Sequence, residues 1–288
     1  MDSVVRRISK RIRHLPGIEN CDALWNAVRG PYHRLLNAAG GVEITASCRI
    51  TIRIPAEYAG HDWENYEPEA VSRVADWAHK SGRGLLVDVG SALGIFSAVA
   101  LFANPNIEVI ACESDLASLA ATRRFCQYAF GRLRLLHGFV TNAGSGDTAS
   151  QAEARTDLAL VQSAPSGDIG TTRYVCLGAD GHDTPAIPRN ALDDLLREER
   201  LDGRSILIKC DVEGAELLVL QGARDTLARH HPTLLVSVHP WAMPQHGHTK
   251  EMLSDFLTRL GYGITLIAVD HEEHWWCSTS ESLVLSAP

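Results

Sequence analysis

A chain of 288 residues with 45% apolar and 22% charged residues has the balance of a soluble globular protein and the length to bury a full core. Its net charge of −8 opposes nucleic-acid binding, because a surface that displaces counterions from phosphates must be cationic. No apolar run approaches the roughly 20 residues needed to cross a bilayer. Seven cysteines, at positions 21, 48, 112, 126, 176, 210 and 277 with no C-x-x-C pair, read as reduced thiols in a cytoplasmic protein.

The first segment, residues 1–16, carries Arg6, Arg7, Lys10, Arg11 and Arg13 and no apolar h-region, unlike a secretory signal. Val5, Ile8, Ile12 and Leu15 recur at helical spacing and predict a helix with an apolar stripe opposite a basic face. Such a helix packs on the body or on a neighbouring subunit, which admits a homo-oligomer, or makes weak peripheral contact with an anionic membrane. Ile50, Ile52 and Ile54 alternate with Thr51 and Arg53, predicting a strand that pairs with 41–45 as a hairpin. After Tyr66-Glu-Pro-Glu69, the spacing of Val71, Val74, Ala75 and Trp77 predicts a short helix. Residues 1–80 are thus expected to form a helical and β-hairpin extension, and 81–288 the main domain.

From there strand and helix patterns alternate. Strands are expected at 85–87, 107–112, 133–140, 205–211, 233–239, 262–269 and 282–286. Between them, Ser114 caps and Gly131 ends one helix, Asn190 and Gly203 bracket the next, and Thr249 and Gly261 the last. Residues 141–188, rich in Gly, Ser, Thr and Asp with strand-like pieces at 158–161 and 173–177, read as a surface excursion. This alternation predicts an α/β fold: a Rossmann-like, doubly wound, seven-stranded, mostly parallel sheet with helices on both faces.

Ligands of such sheets bind beyond the carboxyl ends of the strands, and the unusual polar residues fall there. Asp88-Val-Gly90-Ser91-Ala-Leu-Gly94 follows the first core strand. Its glycines do not meet the G-x-G-x-x-G spacing of dinucleotide sites in either frame, and an acid at the strand end repels a diphosphate. The turn suits S-adenosylmethionine, with its amino acid moiety and sulfonium charge. The glycines permit close backbone approach, while Asp88 orders the loop and favours a cation. Glu113, followed by Ser114, ends the second strand 23 residues after Gly90, where a carboxylate accepts from ribose hydroxyls. It also favours a helix start through the dipole. The fourth strand ends in Ile208-Lys-Cys-Asp211-Val-Glu213-Gly-Ala-Glu216, three carboxylates within six residues. Asp211 lies where the methyl group should emerge, and Glu213 and Glu216 stand at a helix start. Amino methyltransferases acting on nucleobases usually carry D/N-P-P-Y/F at this place, and Asp-Val-Glu-Gly instead favours a hydroxyl acceptor on a small molecule or glycan.

These stretches, with Ala191-Leu-Asp-Asp-Leu-Leu196 and Leu220-Gln-Gly-Ala223, resemble the FkbM-type methyltransferases over about residues 66–239. The resemblance implies the seven-stranded class I fold, S-adenosylmethionine as cofactor, and methylation of hydroxyl oxygens of natural products or glycans. Glu67, Asp88, Gly90, Ser91, Gly94, Glu113, Ser114 and Asp211 are the expected cofactor-binding residues. His239, at the fifth strand end where many relatives carry an acid, is placed to take a proton from the attacking hydroxyl, with Asp211 as the other candidate and Glu213 beside them. His246 and His248 admit a divalent metal with Asp211, a reading the shortage of strong carboxylates does not favour. Asp270-His-Glu-Glu-His-Trp-Trp276 reads as the connection between the last two strands, with His271 and His274 solvated. There Trp275 and Trp276, together with Trp241, could meet the acceptor, or the two adjacent tryptophans could cover the core. The alternatives are a nicotinamide-dependent oxidoreductase, disfavoured by the glycine spacing, and a non-catalytic scaffold that retains the cofactor site.

Overall fold

The computed structural model describes residues 22–129, 131–142 and 189–280. The basic helix expected at 1–16, nearly all of the 141–188 excursion and the strand expected at 282–286 lie outside them. Seven strands form the main sheet: β3 (Gly84–Val89), β4 (Ile107–Glu113), β5 (Leu133–His137), β8 (Ser205–Cys210), β9 (Thr233–Val238), β10 (Gly263–Val269) and β11 (Glu273–Ser278). Their order across the sheet is β10-β11-β9-β8-β3-β4-β5. The pairs from β9 through β5 are parallel, and β11 runs antiparallel to both neighbours. Read from the far edge this is 3-2-1-4-5-7-6, the class I methyltransferase arrangement.

The parallel strands are apolar on both faces, as burial under helices on both sides requires. Along β3, Leu85, Val87 and Val89 enter the core shared with helices Leu192–Leu196, Glu216–Gln221 and Lys250–Arg259. Leu86 points the other way, to helices Pro68–Lys80, Ile95–Ala103 and Leu116–Phe125. The hairpin of β1 (Val42–Thr45) and β2 (Thr51–Ile54) pairs in the expected manner, and Ile52 and Ile54 join that second core. A helix at Asp22–Ala38 precedes it.

Several local expectations are corrected. The strand expected at 133–140 breaks at Gly138, whose φ of 151° suits glycine. Beyond the break, β6 (Phe139–Val140) leaves the main sheet and pairs with β7 (Arg189–Asn190). Asn190 therefore belongs to a strand and does not cap a helix. Asp115, not Ser114, caps the helix after β4, its carboxylate accepting from the Ser118 amide at 2.7 Å. The 270s segment is itself the strand β11, slotted between β9 and β10, so only residues 270–272 turn. Its polar sequence hides a strand because the neighbours on both sides, and not its own pattern, supply the pairing.

Candidate active site

Backbone geometry at the carboxyl ends of β3 and β8 explains the glycine turn. Gly90 has φ +74°, and a Cβ placed on it would stand 1.8 Å from the Asp211 carbonyl oxygen. The two strand ends can come this close only without a side chain. Gly94, at φ +80°, opens the next helix where a Cβ would meet Thr122 at 2.6 Å. The Ser91 hydroxyl lies 3.2 Å from that of Thr122.

Register explains the charges beneath the turn. Asp88 and Lys209 are direct partners across β3 and β8 and face the helix Ile95–Ala103, on an otherwise apolar surface. Asp88 is fully buried and accepts from the Ser97 hydroxyl at 2.6 Å. Lys209 donates to the Gly90 carbonyl at 2.7 Å and stands 3.2 Å from Asp211 and 3.6 Å from Asp88. Burial alone would lower the lysine pKa, but Asp211, Asp88 and Glu67 together raise it. Asp88 thus offers no exposed oxygen to a cofactor. It holds the loop, and Lys209, which sequence reasoning did not single out, already supplies the cation it was expected to favour.

Glu113 stands at the next strand end. One of its oxygens accepts from the Ala92 amide at 3.0 Å, the other from the amides of Ser114 and Asp115 at 2.8 and 3.0 Å. The carboxylate therefore joins the glycine turn to the start of the following helix. Ser114 contributes its amide, with its hydroxyl 3.4 Å from Glu113.

On the other side of Asp211 the structure assembles a group only partly legible in the sequence. His239 is 1% exposed. Its Nδ1 lies 2.7 Å from Glu216 and its Nε2 2.5 Å from Glu272, with Asp211 and Glu213 each 3.7 Å from Nε2. Burial would lower the pKa of the ring, but the hydrogen bonds and charges of Glu216 and Glu272 push it up to about 10. A ring protonated at neutral pH with both nitrogens engaged has no lone pair for a substrate proton, so His239 does not fit the expected role of general base. Glu216, expected to decorate a helix, is fully buried and also accepts from the Gly214 amide at 2.8 Å. Glu272 was missed; burial would raise its pKa, and the His239 contact outweighs that and lowers it. Glu213 keeps a side chain 72% exposed at φ +53°, facing solvent at the mouth of the group.

His274 is buried on β11, 3.2 Å from the Ser237 hydroxyl, and not solvated as expected; His271 is exposed. Neither His246 nor His248 falls within a group spaced to share an ion among the described residues. Glu67 opens the helix Pro68–Lys80 in a left-handed conformation, and burial raises its carboxyl pKa. Trp275 is buried in one core and donates to Glu273, and Trp276 packs half-buried on the opposite face of β11 beside Arg73. Successive residues of a strand point to opposite faces, so these two cannot form one acceptor platform. Trp241 is different. It is 63% exposed and meets the His239 ring edge to face, centroids 5.9 Å apart.

The methyltransferase FkbM domain model matches residues 88–264, more than half of the chain and the span holding nearly all of these strand ends. The chain belongs to the FkbM methyltransferase family. No curated protein matches this FkbM family member. Among solved structures it is similar to methyltransferase FkbM from Methylobacillus flagellatus KT, at 17% identity over 68% of this chain and 43% of that chain, TM-score 0.43. It thus spans less than half the length of that protein. Precorrin-6y C5,15-methyltransferase from Geobacter metallireducens GS-15 is similar at 10% identity over 78% of this chain and 95% of that one, TM-score 0.40. A SAM-dependent methyltransferase from Aquifex aeolicus is similar at 9% identity over 73% and 88%, TM-score 0.40. Strand order and the family match, not these distant likenesses, establish the FkbM methyltransferase fold. No helix among the described residues is long and apolar enough to cross a membrane.

Proposed function

We propose that this FkbM family member transfers a methyl group from S-adenosylmethionine to a hydroxyl oxygen of a small molecule, natural product or glycan. The observation that carries the reading is the convergence of Gly90, Glu113 and Asp211 at the carboxyl ends of three adjacent strands, with exposed Glu213 and Trp241 beside them. The residues fit the cofactor: the Gly90 turn brings bare backbone to the crevice, Glu113 fixes a carboxylate at the ribose position, and Ser91, Gly94 and Ser114 shape the walls. The cofactor supplies an electrophilic methyl carbon and departs as S-adenosylhomocysteine.

The chain's own residues handle the acceptor. Asp211, tied to Lys209, holds position between cofactor and acceptor. Glu213, exposed and 3.7 Å from the His239 ring, takes the hydroxyl proton as the oxygen forms its bond to carbon. Trp241 offers an aromatic face to a sugar or apolar ring. In a thermal shift assay S-adenosylhomocysteine is expected to stabilise the protein and NAD is not, and a candidate acceptor should gain the mass of one methyl. Stabilisation by NAD alone overturns the reading.

A further inference from the structure

Behind Asp211 the strands β9 and β11 and the start of the helix Pro68–Lys80 bring together more ligand-type side chains than the cofactor reading uses. Asp211, His239 and Glu272 present one donor atom each within 4.8 Å of one another, and so do Glu67, Glu272 and His274. Glu272 belongs to both sets. Donors bound at about 2.0–2.2 Å from one ion stand up to about 4.4 Å apart when opposed, so either set can close on a single ion with small side-chain movement.

The independent mark of a missing partner is on Glu272. The residue is 4% exposed, yet its Oε1 is buried without a hydrogen-bond partner, with His274 Nε2 at 3.5 Å. A buried carboxylate oxygen left unsatisfied is costly, and the great majority of such atoms have a partner. Glu67 Oε2, in the same set, is likewise buried and unpartnered. Both histidines are aimed by their other nitrogen. His239 Nδ1 faces Glu216, which turns its Nε2 toward Glu272; His274 Nδ1 faces Ser237, and its Nε2 lies 3.3 Å from Asp270 and 3.5 Å from Glu272. A carboxylate or hydroxyl behind the imidazole is the usual support of a histidine ligand, and a bound ion would take the place of the proton between His239 Nε2 and Glu272.

We propose that Asp211, His239 and Glu272 bind a divalent first-row transition metal ion on the acceptor side of the methyl-transfer site, leaving open positions on the ion for the acceptor. The mixed imidazole and carboxylate donors select this class over magnesium or calcium, which prefer oxygen alone. Glu216 is a positioning residue that acts through His239.

The site deepens the methyltransferase reading and rests on it for its purpose. With His239 engaged at both nitrogens, only carboxylates remain to receive the hydroxyl proton. A carboxylate is a weak base toward an unactivated hydroxyl. An ion at Asp211 acidifies an oxygen that coordinates it, by the charge effect that brings zinc-bound water to about 7. Glu213 then faces a proton it can take. The acceptor class narrows to molecules whose reacting hydroxyl has a neighbouring oxygen able to share the ion.

The test uses the full chain stripped with EDTA and desalted, titrated with Zn2+ by calorimetry and with Mn2+ by the loss of its free-ion paramagnetic resonance signal. Binding of S-adenosylhomocysteine is measured in parallel without metal. One saturable ion per chain is expected, lost in Glu272→Gln and weakened about 10–100-fold in Glu216→Gln. Both variants should bind S-adenosylhomocysteine as the wild type does, which shows that they fold. Absence of saturable binding by the wild-type chain overturns the metal site, and so does unchanged affinity in a folded Glu272→Gln protein. Metal binding without any S-adenosylhomocysteine binding would instead leave the site standing and overturn the methyltransferase reading.

Discussion

At the scale of single residues the two halves of the site respond differently to substitution. Gly90→Val forces a side chain into the Asp211 carbonyl, and Glu113→Ala removes the carboxylate that links the glycine turn to the next helix. Calorimetry should find S-adenosylhomocysteine binding abolished in the first and weakened about ten-fold or more in the second, the scale of a lost charged hydrogen bond. Glu213→Gln should leave that binding intact while turnover falls about 100-fold or more, the contribution of a positioned proton acceptor. Unchanged turnover would remove Glu213 from the mechanism. His239→Ala, in metal-free buffer, leaves Glu216 and Glu272 buried without the cation between them. Urea unfolding should register a loss of about 3–5 kcal/mol, part of it recovered when Glu272→Gln is added. The acidic Asp211-to-Glu216 segment was legible in the sequence because three carboxylates at a strand end need a use. Glu272 was not, since nothing in Asp270-His-Glu-Glu-His says which of its side chains turns inward.

At the scale of elements the outcome turns on which face a residue takes. Trp275 fills the core under β11, and Trp241 stands on the surface beyond β9. Trp275→Ala is therefore expected to destabilise the fold by about 3–5 kcal/mol, read as a lower urea midpoint. Trp241→Ala should leave the midpoint unchanged and raise the acceptor KM, and the opposite pattern would exchange their roles. Helix and strand existence was readable from period for the buried parallel strands and their helices, where burial imposes the pattern. It failed at β11, whose residues read as a loop, and at β6, where one glycine moves two residues into another sheet. Pairing across a sheet is a long-range event, and a local window sees only half of each pair.

At the scale of the whole molecule the amino-terminal elements are joined to the sheet domain by Glu57. It accepts from Asn37 on the helix Asp22–Ala38 at 2.9 Å and pairs with Arg124 on the helix Leu116–Phe125. Burial would raise the Glu57 pKa, but the Asn37 hydrogen bond and the Arg124 charge outweigh it and lower the value. A carboxyl whose folded pKa is depressed contributes stability that is present above its unfolded value and lost as pH falls through the folded one. The thermal midpoint of the wild type should therefore fall more steeply than that of Glu57→Gln as pH drops below about 4.5. Parallel curves would show that the junction is held by packing alone.

The sequence by itself determined the alternation of strand and helix and set the candidate site residues at the strand ends, because the hydrophobic period and the glycine spacing are local properties. Tertiary structure alone decided how those ends combine. It set Asp88 beside Lys209 by strand register, buried His239 between two glutamates from different elements, and turned one tryptophan of an adjacent pair into each core. Charge compensation and burial depend on neighbours distant in the chain, so residue types could nominate a proton acceptor, while only the packed sheet could show that the histidine was already engaged.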